Sequence, residues 1–350
     1  MVATTPIVQM HDISVTFPSV KALESVDFQL FGGEVHALMG QNGAGKSTLF
    51  KALTGVYDID SGVITVDGTA QRFTTPRQAQ DVGISTVYQE VNLCPNLTVG
   101  ENILLGREPR RFGRIIYRAL HDQAGTLLNQ LELDVDPRST LGSHPIAVQQ
   151  LVAIARATAV SAKVLVLDEP TSSLDADEVS ELFRVVRRLR DAGTAVLFVS
   201  HFLDQVYEIA DRMTVLRNGN TVGEWMVADL DPHRLIAAML GRELDVLDEI
   251  ADEASELRVD TCAAPIVSVE RIARTPRIKP TDLTFRAGEV VGLAGLLGSG
   301  RTELARLVFG ADRATGGRIL VDGVSTSIRS PRSAIAARFA FSSENRKGEG

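Results

Sequence analysis

The sequence predicts an α/β fold: a mixed sheet core covered by helices, fronted by an antiparallel β layer and followed by a partial second copy of the same unit. Three observations predict it. Strand-length apolar runs alternate with helical patterns, a glycine-rich phosphate loop joins one such strand to one such helix, and three separate segments recur at a single spacing.

The alternation comes first. Apolar runs at Val35 to Met39, Val164 to Leu167 and Ala195 to Val199 are short enough for buried strands, and helical periodicity appears at Ser47 to Leu53, Ala176 to Arg190 and Leu203 to Ala210. Short buried strands alternating with helices read as α/β. The leading stretch, Ile7 to Leu30, alternates as an antiparallel layer does, and the stretch from Val91 to Val160 reads as largely helical.

The recurrence sets the domain plan. GEVHALMG (Gly33 to Gly40) returns as GEVVGLAG (Gly288 to Gly295), SGVITVDG (Ser61 to Gly68) as GGRILVDG (Gly316 to Gly323), and Pro76-Arg77 as Pro331-Arg332, all at one offset of 255 residues. Glycine turns that match by chance drift in spacing, so a constant offset means a duplicated domain. We expect a first domain over 1–241, an acidic linker over 242–264, and an incomplete second copy over 265–350. About two-thirds of a repeat would then be missing from the second copy.

Composition narrows the partners. Of 350 residues, 44% are hydrophobic, enough for packed cores, and the net charge of -8 gives no electrostatic grip on DNA or RNA. Cys94 and Cys262 have no second Cys or His at ligand spacing, so neither a disulfide framework nor a zinc site is expected, and a reducing cytoplasm fits. No apolar run approaches the roughly 20 residues that span a bilayer. If the protein works at a membrane, it docks from the side.

The chemistry begins at GQNGAGKST, with Gly40, Gln41, Asn42, Gly43, Ala44, Gly45, Lys46, Ser47 and Thr48 lying between the predicted strand and helix. In that context the pattern is a phosphate loop. Gly43 and Gly45 permit turns that aim N–H groups at phosphate oxygens, and the helix beginning near Lys46 adds its positive end. Lys46 can reach the β- and γ-phosphates of a nucleotide, and the Ser47 hydroxyl can ligate Mg²⁺. Downstream, VLVLDEP (Val164 to Pro170) ends a buried strand in two adjacent carboxylates, a placement that apolar packing does not favour. Beside the loop, Asp168 would hold the Mg²⁺ shell and Glu169 would polarise the attacking water.

Three further segments follow in order: Tyr88-Gln89-Glu90, Ser172-Ser173-Leu174-Asp175 and Val199-Ser200-His201. On these the chain resembles the ABC-type ATPases. The resemblance makes Gln89 the glutamine that touches Mg²⁺ or the attacking water and senses a transmembrane partner. It makes His201 the switch histidine at the γ-phosphate, and Phe17, ahead of Lys21-Ala22-Leu23, the aromatic that stacks on adenine. FPSVKAL, HFLDQVYEIADRMTVLRNG and GLAGLLGSGRTE, in that order, are similar to the double-domain ATPases of bacterial monosaccharide importers, with His201 to Gly219 most like the galactofuranose type. That resemblance implies ATP hydrolysis coupled to sugar import from the cytoplasmic face of the membrane. The implied partners are two transmembrane permease subunits, an indirectly linked extracytoplasmic sugar-binding protein and a second nucleotide-binding half to complete the ATP site. The alternatives are a soluble ABC ATPase acting away from membranes and a fragment that binds ATP without hydrolysing it, and we expect weak or absent turnover from this chain alone.

The sequence also departs from the family pattern. In HPIAVQQLVAIARA (His144 to Ala157), Pro145 stands where the signature serine is expected and Ala147 where a glycine is, removing a hydroxyl, an N–H and the room for close approach. We expect the helix to survive with proline in its first turn. The second phosphate loop, Gly295 to Glu303, carries Arg301 for lysine, a bulkier forked cation, and Glu344 stands in the register of Gln89. An asymmetric pair follows, with one hydrolytic and one degenerate site.

Overall fold

The computed structural model describes residues 5–88, 92–159, 162–241, 264–294 and 299–342. The chain separates into two compact units, Met1–Glu249 and Ile250–Gly350.

In the first unit, β1 (Val8–Phe17) and β2 (Val20–Leu30) form a hairpin, and β1 also pairs with β4 (Ser61–Val66), which pairs with β5 (Thr69–Gln71). This antiparallel layer has the order β2-β1-β4-β5. Its alternation of buried and exposed residues is the reason the opening stretch reads as antiparallel from sequence.

The second sheet is the core. It is built from β3 (Val35–Met39), β6 (Ile84–Val87), β9 (Val164–Asp168), β10 (Ala195–Val199), β11 (Arg212–Arg217) and β12 (Asn220–Met226), ordered β12-β11-β3-β10-β9-β6. All neighbours run parallel except the edge strand β12. The central strands β3, β9 and β10 are covered on both faces and are near-continuous apolar runs, and the pleat divides them between two cores. Val164 and Val166 face the antiparallel layer, together with Leu49 and Phe50 of α1 (Lys46–Leu53). Leu165 and Leu167 face the other way, packing with α5 (Ile146–Thr158) and α6 (Ala176–Asp191).

The stretch read as largely helical contains α3 (Val99–Ile103), α4 (Tyr117–Gln130) and α5, after the short α2 (Pro76–Asp81). It also holds a two-rung hairpin, β7 (Arg110–Arg111) and β8 (Arg114–Ile115), that the helical reading missed. Helices α7 (Leu203–Ile209) and α8 (Pro232–Leu240) complete the unit.

The second unit contains β13 (Val267–Arg274), β14 (Ile278–Phe285), α9 (Arg301–Val308), β15 (Gly316–Val321), β16 (Val324–Thr326) and α10 (Pro331–Ala336). Its sheet order, β14-β13-β15-β16, repeats that of the first antiparallel layer. The register repeats too: Val8 pairs with Leu30 and Val66, and Val267 with Phe285 and Val321. The duplication seen in sequence is thus a duplication of strand pairing.

Candidate functional site

The loop after β3 leads into α1 through Gly43 (φ 83°) and Gly45 (φ 105°), both left-handed as the phosphate-loop pattern requires. Gly45 is the residue preceding α1, and no side chain caps that helix, so its first N–H groups are left for a ligand. The Ala44 carbonyl accepts the Gly219 N–H at 3.0 Å, and the Gly219 carbonyl accepts the Glu24 N–H at 2.8 Å. The turn between β11 and β12 therefore ties the loop to β2. Nothing in the local sequence around Gly219 announced that role.

Lys46 is almost buried, and its ammonium donates to the carbonyls of Gly40 at 2.6 Å and Gln41 at 3.0 Å. Burial holds its pKa below the ordinary lysine value, opposed by the charges of Glu169 and Asp168. Ser47 is exposed at the start of α1. A cleft of about 550 Å³ runs past Gln41 to Thr48 and is also lined by Phe17, Asp168, Glu169 and Asn218.

Asp168 ends β9, where burial and then the neighbouring Glu169 raise its pKa, against Lys51 and Lys46. Glu169 has a positive φ of 47°, and its N–H donates to the Val199 carbonyl at 2.8 Å, tying the ends of β9 and β10 together. His201 stands just past β10, with Nδ1 3.1 Å from Glu169 Oε1 and its ring centroid 4.1 Å from that of Phe202. Thr171 donates to Gln205 Oε1 at 2.5 Å, fixing the segment after Glu169 against α7. Asp175 caps α6 reciprocally with Glu178.

Phe17, at the end of β1, meets Tyr57 edge to face at 5.2 Å between centroids. Tyr57 is a neighbour that the sequence did not reveal. The structure therefore brings Phe17, Gln41 to Thr48, Asp168 and Glu169 into one cleft, with Gly40 joined to Lys46 through its carbonyl and His201 in contact through Glu169. Gln89 and Glu344 lie outside the described residues.

Pro145 is the residue before α5 (φ −55°, ψ 158°), one position ahead of the first turn in which it was expected, and no side chain caps the helix. The helix is intact, with Leu151 and Ile154 buried. In the second unit, Gly300 (φ 92°) precedes α9 as Gly45 precedes α1, but Arg301 is exposed where Lys46 is buried. The turn between β13 and β14, Thr275 to Arg277, carries no aromatic residue.

Oxygen donors suit a hard divalent cation. Among the described residues, no group of three or more His, Cys, Asp or Glu could hold a metal. A magnesium ion would need most of its ligands from phosphates and water, and the exposed Ser47 hydroxyl with the strand-ending Asp168 carboxylate fits such sparse protein ligation.

A phosphate loop joining a parallel strand to a helix, with strand-ending acids in the same cleft, defines a nucleoside-triphosphate-binding protein. The sequence profile described as "ABC transporter" matches residues 23–172 and 278–347. The fructose import ATP-binding protein FruK of Bifidobacterium longum is 51% identical over 100% of this chain and 68% of its own length. The galactofuranose transporter ATP-binding protein YtfR of Escherichia coli is 47% identical over 98% of this chain and 68% of its own. Among solved structures, an ATP-binding cassette of an ABC transporter in its ADP conformation superposes with a TM-score of 0.61 at 25% identity, covering 68% of this chain and all of that one. The chain belongs to the ABC transporter family and carries its ATP-binding cassette, an ATPase fold, followed by a partial second copy. No described helix is long and apolar enough to cross a membrane.

Proposed function

We propose that this chain binds and hydrolyses ATP to energise the import of a monosaccharide through a membrane permease. The observation that carries the reading is the convergence of Lys46, Asp168 and Glu169 in one cleft, with His201 against Glu169. Relatives named for fructose and galactofuranose transport support the sugar class.

In this reading Phe17 stacks on the adenine, and the amides of Gly40 to Thr48 hold the phosphates with Lys46 on the β- and γ-oxygens. Glu169 accepts a proton from water as its oxygen bonds to the γ-phosphorus. The bond from that phosphorus to the β–γ bridging oxygen breaks, and ADP and phosphate leave. His201 orients Glu169 and faces the γ-phosphate. Ser47, Asp168 and, by family resemblance, Gln89 would hold the magnesium ion, which when bound neutralises charge on the β- and γ-oxygens.

We read 1–241 as one cassette, 242–264 as its linker and 265–350 as part of a second cassette with a degenerate site. Arg301 in place of the lysine, and β13 ending in Arg274 where β1 ends in Phe17, support that asymmetry. The protein would sit at the cytoplasmic face against two permease subunits, served indirectly by a sugar-binding protein, with a second nucleotide-binding half completing its ATP site. Reconstitution with permease and binding protein tests this: ATP hydrolysis should rise when sugar-loaded binding protein is added. Turnover indifferent to the binding protein, together with recovery of ribosomes instead of permease in pull-downs, would overturn it.

A further inference from the structure

The segment from Arg107 to Arg118 sits in an acidic chain and carries five arginines and one glutamate in twelve residues. The β7–β8 hairpin presents it. Arg111 pairs directly opposite Arg114, a like-charge cross-strand contact that opposes pairing. Between them Phe112 is 93% exposed, with φ 50°, a conformation that bulky side chains rarely adopt. The Arg111 guanidinium lies 5.4 Å from its ring. Tyr117 and Ile116 beside the hairpin are also exposed.

The hairpin is held from beneath. The Ile116 N–H donates to the Pro109 carbonyl at 2.8 Å, Glu108 accepts the Gly106 N–H at 3.0 Å and an Arg110 guanidinium N–H at 3.2 Å, and Ile115 packs against the main core. Three locally unfavourable features therefore meet on a fixed support: paired like charges, a bare aromatic and a left-handed Phe. Such local conflicts collect where a partner resolves them.

We propose that this hairpin is a lipid-docking tip, which sets Phe112 among the acyl chains at the edge of an anionic bilayer with Arg110, Arg111 and Arg114 on the phosphate headgroups. Anionic phosphates remove the Arg111–Arg114 conflict, and the interface accepts an aromatic ring beside basic residues. The tip spans about five residues, against the roughly 20–30 residues a side of a stable protein interface. A lipid surface needs no such area, and the proposed role in import, on which this inference rests, sets the chain beside a bilayer.

The test is sedimentation of the 350-residue chain with vesicles of phosphatidylcholine alone and of phosphatidylcholine mixed with phosphatidylglycerol. Binding is expected to the mixed vesicles and to fall as salt is raised. The Arg110→Ser/Arg111→Ser/Arg114→Ser variant should bind about a hundredfold more weakly, and Phe112→Ser about tenfold more weakly. Unchanged ATP affinity in both variants would show that the fold is intact. Equal binding to the two vesicle types, or mixed-vesicle binding indifferent to the arginine changes, overturns the proposal. So does a chain that ignores vesicles but loses capture by purified permease in the arginine variant, which would assign the tip to a protein partner.

Discussion

His201 Nδ1 lies 3.1 Å from Glu169 Oε1, joining the ends of two adjacent parallel strands across 32 residues of sequence. The contact couples the acid proposed to activate water to the histidine proposed to face the γ-phosphate. In the reconstituted transporter, Glu169→Gln should lower turnover by about 10²–10⁴-fold while ATP binding persists, the range expected on losing a general base. His201→Ala should lower turnover in the same assay, and the double variant should be little worse than the worse single one. Full turnover in Glu169→Gln would refute its assignment.

Asp168 gives a pH signature. Burial, then the adjacent Glu169, raises its pKa, so the fold favours the protonated carboxyl over the ionised one. A raised folded pKa contributes stability that is present in acid and is lost as pH rises through that pKa. At neutral pH the ionised Asp168 therefore weakens the fold. Asp168→Asn should raise the Tm at neutral pH, with the gain shrinking as pH falls into the carboxylate range. A gain of equal size at acid and neutral pH would show that this charge is not its source.

Two glycines of the phosphate loop should respond differently to alanine. At Gly45 a Cβ would stand 2.7 Å from the Ala22 carbonyl oxygen and 2.8 Å from Leu23 Cδ2, whereas at Gly43 it meets nothing within 4 Å. Gly43→Ala should cost only the left-handed backbone penalty, about 1–2 kcal/mol. Gly45→Ala must also displace β2 and should cost more, as read from urea unfolding midpoints. Equal midpoints for the two variants would contradict the contact at Ala22.

Phe17 should govern base affinity without touching phosphate affinity. Aromatic stacking on a base is worth about 1–3 kcal/mol by alanine substitution. Phe17→Ala should weaken ATP binding accordingly and leave inorganic triphosphate binding unchanged, both measured by titration calorimetry. Equal weakening of both ligands would make Phe17 a packing residue only.

Much of the site was legible because its chemistry is contiguous. Gly40 to Thr48 run unbroken from the loop into α1, Asp168 and Glu169 are adjacent, and each group lies at a strand end marked by an apolar run. Phe17 and His201 needed the resemblance, since one aromatic or one histidine after a strand has no local signature. Tyr57 against Phe17, Gly219 against Ala44 and Gln205 against Thr171 were not legible, because each joins residues far apart along the chain. The arginine hairpin was hidden inside a stretch whose overall apolar spacing is helical.

By itself the sequence determined the phosphate loop, the acid pair and the duplication, since each is written in residue type and spacing. Tertiary structure alone decided which strands enclose the phosphate-loop strand. Val35 of GEVHALMG is fully buried in β3, which lies between β10 and β11, two strands far along the chain. A strand is completed by neighbours that accept its hydrogen bonds and cover its faces, and no pattern within one segment can supply them.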